Sequence, residues 1–199
     1  MSPSARNRRA DAQRSRAAVL DAAVQILETR PDAGLGTIAH AAGVTRQTVY
    51  AHFASREQLL LAVVDRISEE FVAAIDGADL DSGPASDALL RLLDASERVA
   101  RRYPVLLQQV SALPVSPQTE HEQHAPVAAR IRQVILRGRE AGEFDDRLPI
   151  DWLVAVTVKL AHAASEEPDA GRVPPAEADR ALRITLLRVL GGSGHGTRG

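Results

Sequence analysis

Apolar residues recur along most of the chain at intervals of three and four, the period of a helix buried along one side. From Arg14 to Thr29 the stripe is Val19, Ala22, Ala23, Ile26 and Leu27, and Pro31 ends it. A short segment then turns Leu35, Ile38, Ala39 and Ala42 inward and stops at Gly43, which can take a left-handed backbone without a Cβ clash. Thr45 is placed to cap a third helix, about Arg46 to Phe53, its hydroxyl accepting from an amide near Thr48. At about 100° per residue, Val49 and Phe53 share one side of that helix, where Val44 joins them. Gln47, Thr48, Ala51 and His52 spread over the other side, with Tyr50 at its edge. Ser55 caps a longer helix, Arg56 to about Ala74, with Leu59, Leu60, Val63, Ile67 and Phe71 inward.

Beyond it the pattern predicts a loop over Asp76 to Pro84 and then helices over Ala85 to Arg102 and Pro104 to Leu113. The loop aspartates lack the alternation and glycine position of a calcium loop. Gln118 to Ala141 reads as a long helix in which Pro126 implies a kink or a later start. Pro149 opens another that closes before Glu166, and Ala176 to Leu190 forms the last. That final segment is apolar on more than one face, a breadth that a terminal helix satisfies most easily against another subunit. The expectation is an all-α chain of about nine helices: a basic disordered arm at 1–13, a three-helix unit at 14–60, a helical unit at 61–191 and a flexible tail at 192–199.

Composition narrows the chemistry. Aromatics are 3% and cysteine is absent, which removes disulfides, thiolate metal sites and a cysteine nucleophile. No apolar run approaches the ~20 residues that span a bilayer, and the N-terminus lacks a secretion signal, so a cytoplasmic protein is expected. The net charge of −2 conceals an asymmetry. Residues 1 to 60 carry eight Arg against five acids, a balance of +3, while the remainder holds sixteen basic residues against twenty-one acids, a balance of −5. Arg6, Arg8, Arg9, Arg14 and Arg16 face only Asp11 within the first sixteen residues, as a phosphate-following arm would.

Three short helices with Ala42-Gly43-Val44 at the middle turn have the form of a helix-turn-helix, whose outer helix enters a major groove N-terminus first. Arg46 and Gln47 sit at that end; Arg can engage guanine O6 and N7, and Gln the donor and acceptor of adenine. Thr45, Thr48, Tyr50 and His52 suit phosphate oxygens, and Arg56 can hold another phosphate. The run IAHAAGVTRQTVYAHFASREQLL, within Val19 to Val64, resembles the DNA-binding domain of TetR-family transcriptional regulators. The resemblance implies a dimeric repressor with a C-terminal helical domain that dimerises and binds an effector, and it aligns Thr45, Arg46, Gln47, Thr48, Tyr50, His52 and Arg56 with positions that meet DNA. One departure is Gly34 where the family has a hydroxyl cap on the second helix; Thr37 is the substitute for that contact.

Further along, AGEFDDRLPIDWLVAVTVKLAHAA resembles the penultimate helix of such regulators, implying a homodimer through the last two helices and a pseudo-palindromic operator. Tyr103, Leu106, Leu107, Gln109, Val110, His124 and Trp152 are the candidate lining of an effector pocket. His121 and His124 beside Glu120 and Glu122 lack a third ligand at a recognisable spacing and read as a solvated helix start, so no metal and no cofactor is expected. Phosphate-loop, nucleophile-elbow, zinc-hydrolase and dinucleotide signatures are missing, and no catalytic residue is assigned. A helical interaction module and a small-molecule-binding enzyme without DNA readout are the alternatives.

Overall fold

A computed structural model describes residues 3–111, 113 and 116–191. The described residues form nine α-helices and no strand. In order they are α1 (Pro3–Thr29), α2 (Leu35–Ala41), α3 (Arg46–His52), α4 (Arg56–Asp76), α5 (Ala85–Ala100), α6 (Pro104–Ser111), α7 (Pro117–Glu140), α8 (Ile150–Asp169) and α9 (Pro175–Val189). They divide into two compact units. The first holds α1 to α3, α4 as far as Glu69, and the segment from Ala100 through α6; the second holds the rest of α4, α5 and α7 to α9.

In the first unit α1 packs against α2, α3 and α6, and α2 against α3. The predicted stripe is buried: Val19, Ala22, Ala23 and Leu27 of α1, Leu35, Ile38 and Ala39 of α2, and Val49 of α3 followed by Phe53. The arrival of α6 in this unit, from about seventy residues beyond α2, is a feature the linear pattern does not reveal. Its anchor is Glu28 on α1, whose carboxylate accepts from the backbone amides of Val105 and Leu106 at 3.2 and 3.1 Å. Those amides stand in the first turn of α6, where no intrahelical acceptor exists. Tyr103 precedes that turn and has no short polar side chain to cap it, so the cap comes from another helix.

The second unit is built around Ile75, Leu89, Leu92, Leu93, Ile131, Ile135, Phe144, Leu153, Leu186 and Leu190. The Phe144 ring lies where a Cβ on Gly138 would stand, so α7 must be side-chain-free there. Gly142 has φ +70 and turns the chain back, after which the Asp145 amide donates to the Leu190 carbonyl at 2.8 Å. Polar ties then join the helices. Glu143 accepts from the Ala85 and Ser86 amides at 2.9 and 3.1 Å and so caps α5, and Arg183 on α9 bonds Asp179 and Asp94. These partners raise the Arg183 pKa, the Asp179 hydrogen bond most of all.

Three expectations need correction. The 1–13 arm is helical from Pro3, continuous with α1: Ala and Arg favour the helix, and Asp11 pairs with Arg14 three residues on. Of the two alternatives at Pro126 the later start is removed: α7 starts at Pro117 and carries the exposed proline inside it. The helix α8 runs past Glu166 to Asp169, passing through Pro168. The expected tail at 192–199 lies outside the described residues.

Candidate nucleic-acid interface

The turn between α2 and α3 forms as its residues dictate. Gly43 takes φ +66, its amide donates to the His40 carbonyl at 3.2 Å, and the Val44 amide donates to Ala39 at 3.0 Å. This paired termination closes α2 and redirects the chain within two residues. Thr45 then caps α3 with φ −77 and ψ 155, its Oγ1 accepting from the Thr48 amide at 3.1 Å. The two threonine hydroxyls lie 2.9 Å apart and bond each other, so both already help to build the helix start.

The inner flank of α3 is anchored: Val49 is 0% and Phe53 3% exposed. The Arg16 guanidinium lies 5.3 Å from the Phe53 ring centroid, which closes this apolar seat from the α1 side. Asp65 shares the neighbourhood; burial pushes its carboxyl up, against the pull of Arg16.

The outer flank carries the predicted DNA residues. Arg46 and Gln47 are exposed, Tyr50 is 57% exposed, and Thr48 and His52 are half-buried, the His52 ring tilted against Phe53. Thus Arg46, Gln47 and Tyr50 come together as one outward surface. Thr37 is half-buried on α2, with its amide bonded to the Gly34 carbonyl at 3.0 Å. Gly34 caps α2 without a side-chain bond. Arg56, at the start of α4, donates to the Pro31 carbonyl and thereby ties α4 to the turn after α1. The 320 Å³ groove between α1 and α4, lined by Gln13, Arg16, Leu20, Asp65 and neighbours, holds none of the predicted effector residues.

One residue here escaped the sequence reading. A Cβ on Gly36 would stand 2.5 Å from Nε and Nη2 of Arg46, so the Arg46 side chain rests on the bare backbone of α2. The spacing of ten residues gave no signal for that contact.

The predicted effector residues fall in both units. Tyr103, Leu106, Leu107, Gln109 and Val110 belong to the first, where Tyr103 and Leu106 are buried and the others half-buried. Gln109 Oε1 is buried, and among the described residues nothing donates to it. His124 and Trp152 belong to the second unit. Trp152 is 59% exposed on α8. His124 meets a residue the sequence did not single out: its Nε2 lies 2.9 Å from Nε2 of His162 on α8.

With this geometry in place, the similarities are specific. Residues 19–63 match the family model for bacterial regulatory proteins of the tetR family. The HTH-type transcriptional repressor LfrR of Mycolicibacterium smegmatis is 43% identical over 83 residues, 42% of this chain and 44% of that protein. The HTH-type transcriptional regulator TtgW of Pseudomonas putida is 42% identical over 62 residues, 30% of this chain and 46% of that protein. The matches therefore span less than half the length of these curated relatives. A crystal structure of LfrR from Mycobacterium smegmatis in complex with proflavine aligns over 94% of this chain and 99% of that one, with 29% identity and a TM-score of 0.63.

Proposed function

We propose that the chain is a member of the TetR family of bacterial regulatory proteins and acts as a dimeric, sequence-specific DNA-binding repressor, released from a pseudo-palindromic operator by a small-molecule effector. The observation that carries this reading is α3: one flank seated through Val49 and Phe53, the other presenting Arg46, Gln47 and Tyr50. A helix held this way can lie in a major groove while its first turn meets base edges. Arg46 and Gln47 read bases; Tyr50, His52, Thr45, Thr48, Thr37 and Arg56 engage phosphates. The bond between the two cap hydroxyls uses one of their two protons, so only the other is left to donate to a phosphate oxygen, and the pair contributes to register more than to affinity.

Dimerisation through α8 and α9 is supported by the apolar side chains they leave exposed, Trp152 and, at 39%, Ile184. A two-fold axis would set two copies of α3 about 34–36 Å apart, one turn of B-DNA. The bound proflavine in LfrR makes a small organic compound the natural effector class, and the unmatched Gln109 oxygen offers it an acceptor beside Leu107 and Val110. Release follows from differential affinity: an effector that prefers the arrangement unable to span both half-sites draws population away from DNA. The role is a cytoplasmic one, and no described helix is long and apolar enough to cross a membrane. Selection of bound sequences from random duplexes, with sedimentation of the free protein, tests the reading. The expected result is a two-fold-symmetric site and a species of twice 21.3 kDa; binding of all duplexes alike, or a monomer, contradicts it.

A further inference from the structure

We propose that His124 and His162 form a binding site for one divalent transition-metal ion that clips α7 to α8, with Cu(II) and Ni(II) as the fitting class. The two Nε2 atoms are 2.9 Å apart, and the rings lie 4.8 Å apart at an interplanar angle of 60°. Two nitrogens bound at about 2.0–2.1 Å to one ion stand about 2.9 Å apart when cis in a square or octahedral shell, and about 3.3–3.4 Å apart in a tetrahedral one. The observed separation equals the cis value. Imidazole suits these borderline ions, and the stability order of the divalent series puts Cu(II) first.

The helices that carry the two rings are seated nearby. Ala128, four residues after His124, and Val158, four before His162, both pack against the core of the second unit. Residues four apart share a helix face, so each histidine extends the face that already seats its helix. The two nitrogens thus meet on a preset seam, and little reorganisation is needed to admit an ion. As a hydrogen bond, one ring donates its Nε2–H to the lone pair of the other. Coordination needs both Nε2 lone pairs, so the proton between them leaves to solvent or to the other nitrogen of its ring as the ion binds, with no change of oxidation state. Among the described residues no third histidine or carboxylate completes a cluster. The ion therefore keeps further positions for water or an external ligand. The two histidines belong to the second unit and α3 to the first, and the assignment does not depend on DNA binding.

Calorimetric titration of the full chain, stripped of metal, with CuCl2 and NiCl2 tests the assignment beside His124→Ala, His162→Ala and the exposed neighbour His121→Ala. Even changes outside the ligand shell cost about 10- to 100-fold in affinity, so removing one ligand nitrogen lowers it by at least about tenfold. The expected result is one ion per chain in the wild type and in His121→Ala, with that loss in both other variants. Paramagnetic resonance of the wild-type Cu(II) form reads the same question without relying on variant folding, and two imidazole nitrogens are expected on the ion. Wild-type affinity in His124→Ala and His162→Ala, an equal loss in His121→Ala, an ion lacking two imidazole nitrogens, or no saturable binding each overturns the proposal.

Discussion

Replacing Glu28 by alanine removes the only side-chain cap seen on α6 among the described residues. Its two carboxylate oxygens accept from the Val105 and Leu106 amides at 3.2 and 3.1 Å, across 77 and 78 residues of sequence. Loss of a helix cap costs about 1 kcal/mol, and loss of a negative charge at a helix N-terminus about 0.3–1 kcal/mol more where solvent reaches it, so Glu28→Ala should weaken the local structure by about 1–2 kcal/mol. Glu28→Gln retains one acceptor oxygen and should fall between the two. Native-state hydrogen exchange followed residue by residue is the appropriate assay, because a shift of that size makes opening about 5- to 30-fold more frequent. The faster exchange should be confined to Val105, Leu106 and the turn they begin. Unchanged protection there in Glu28→Ala would show that α6 is held by its apolar contacts with α1 and that the carboxylate is incidental.

Three further outcomes follow from individual contacts. Glu143 is held below the usual glutamate value by the Ala85 amide first and by Ser86; its contribution is present above about pH 4.3 and is lost as pH falls through the lower folded value, so Glu143→Gln should flatten the acid limb of the thermal midpoint. Thr45→Ala should cost about 0.5–2 kcal/mol in urea unfolding while Thr45→Ser costs little, and equal losses would mean the hydroxyl is not the cap. Gly36→Ala should raise stability by about 0.4–1 kcal/mol, because the clash falls on the flexible end of Arg46 and the unfolded chain loses freedom, and should shift the Arg46 Nε resonance; lower stability would mean that Arg46 cannot yield.

The helices and the α3 interface were legible because each rests on neighbours in sequence. The Val49 and Phe53 seat, the Gly43 turn and the Thr45 cap all act within eight residues, the range over which periodicity and capping rules operate. The contacts that escaped are those made across long separations. Nothing near Glu28 announces that it caps α6, and His124 finds His162 only once α7 and α8 are packed. Gly34 and Gly36 looked alike as weak helix formers; the structure separates them, since Gly36 alone lies beneath a guanidinium. Residues 3–13 were misread for a different reason: their charge suggested an arm, whereas Ala and Arg propensity and continuity with the Val19 stripe carry the helix back to Pro3.

The central claim is that α3 reads sequence through its exposed N-terminal end. Competition binding of Arg46→Ala on the site selected from random duplexes, against an unrelated duplex and across a range of salt, tests it most directly. The account predicts a loss of about 1–3 kcal/mol on the selected site, relaxed preference at one base pair in each half-site, and a much smaller change on unrelated DNA. An equal loss on both duplexes, with a shallower salt slope, would make Arg46 a phosphate contact, and wild-type affinity on both would remove this end of α3 from recognition altogether.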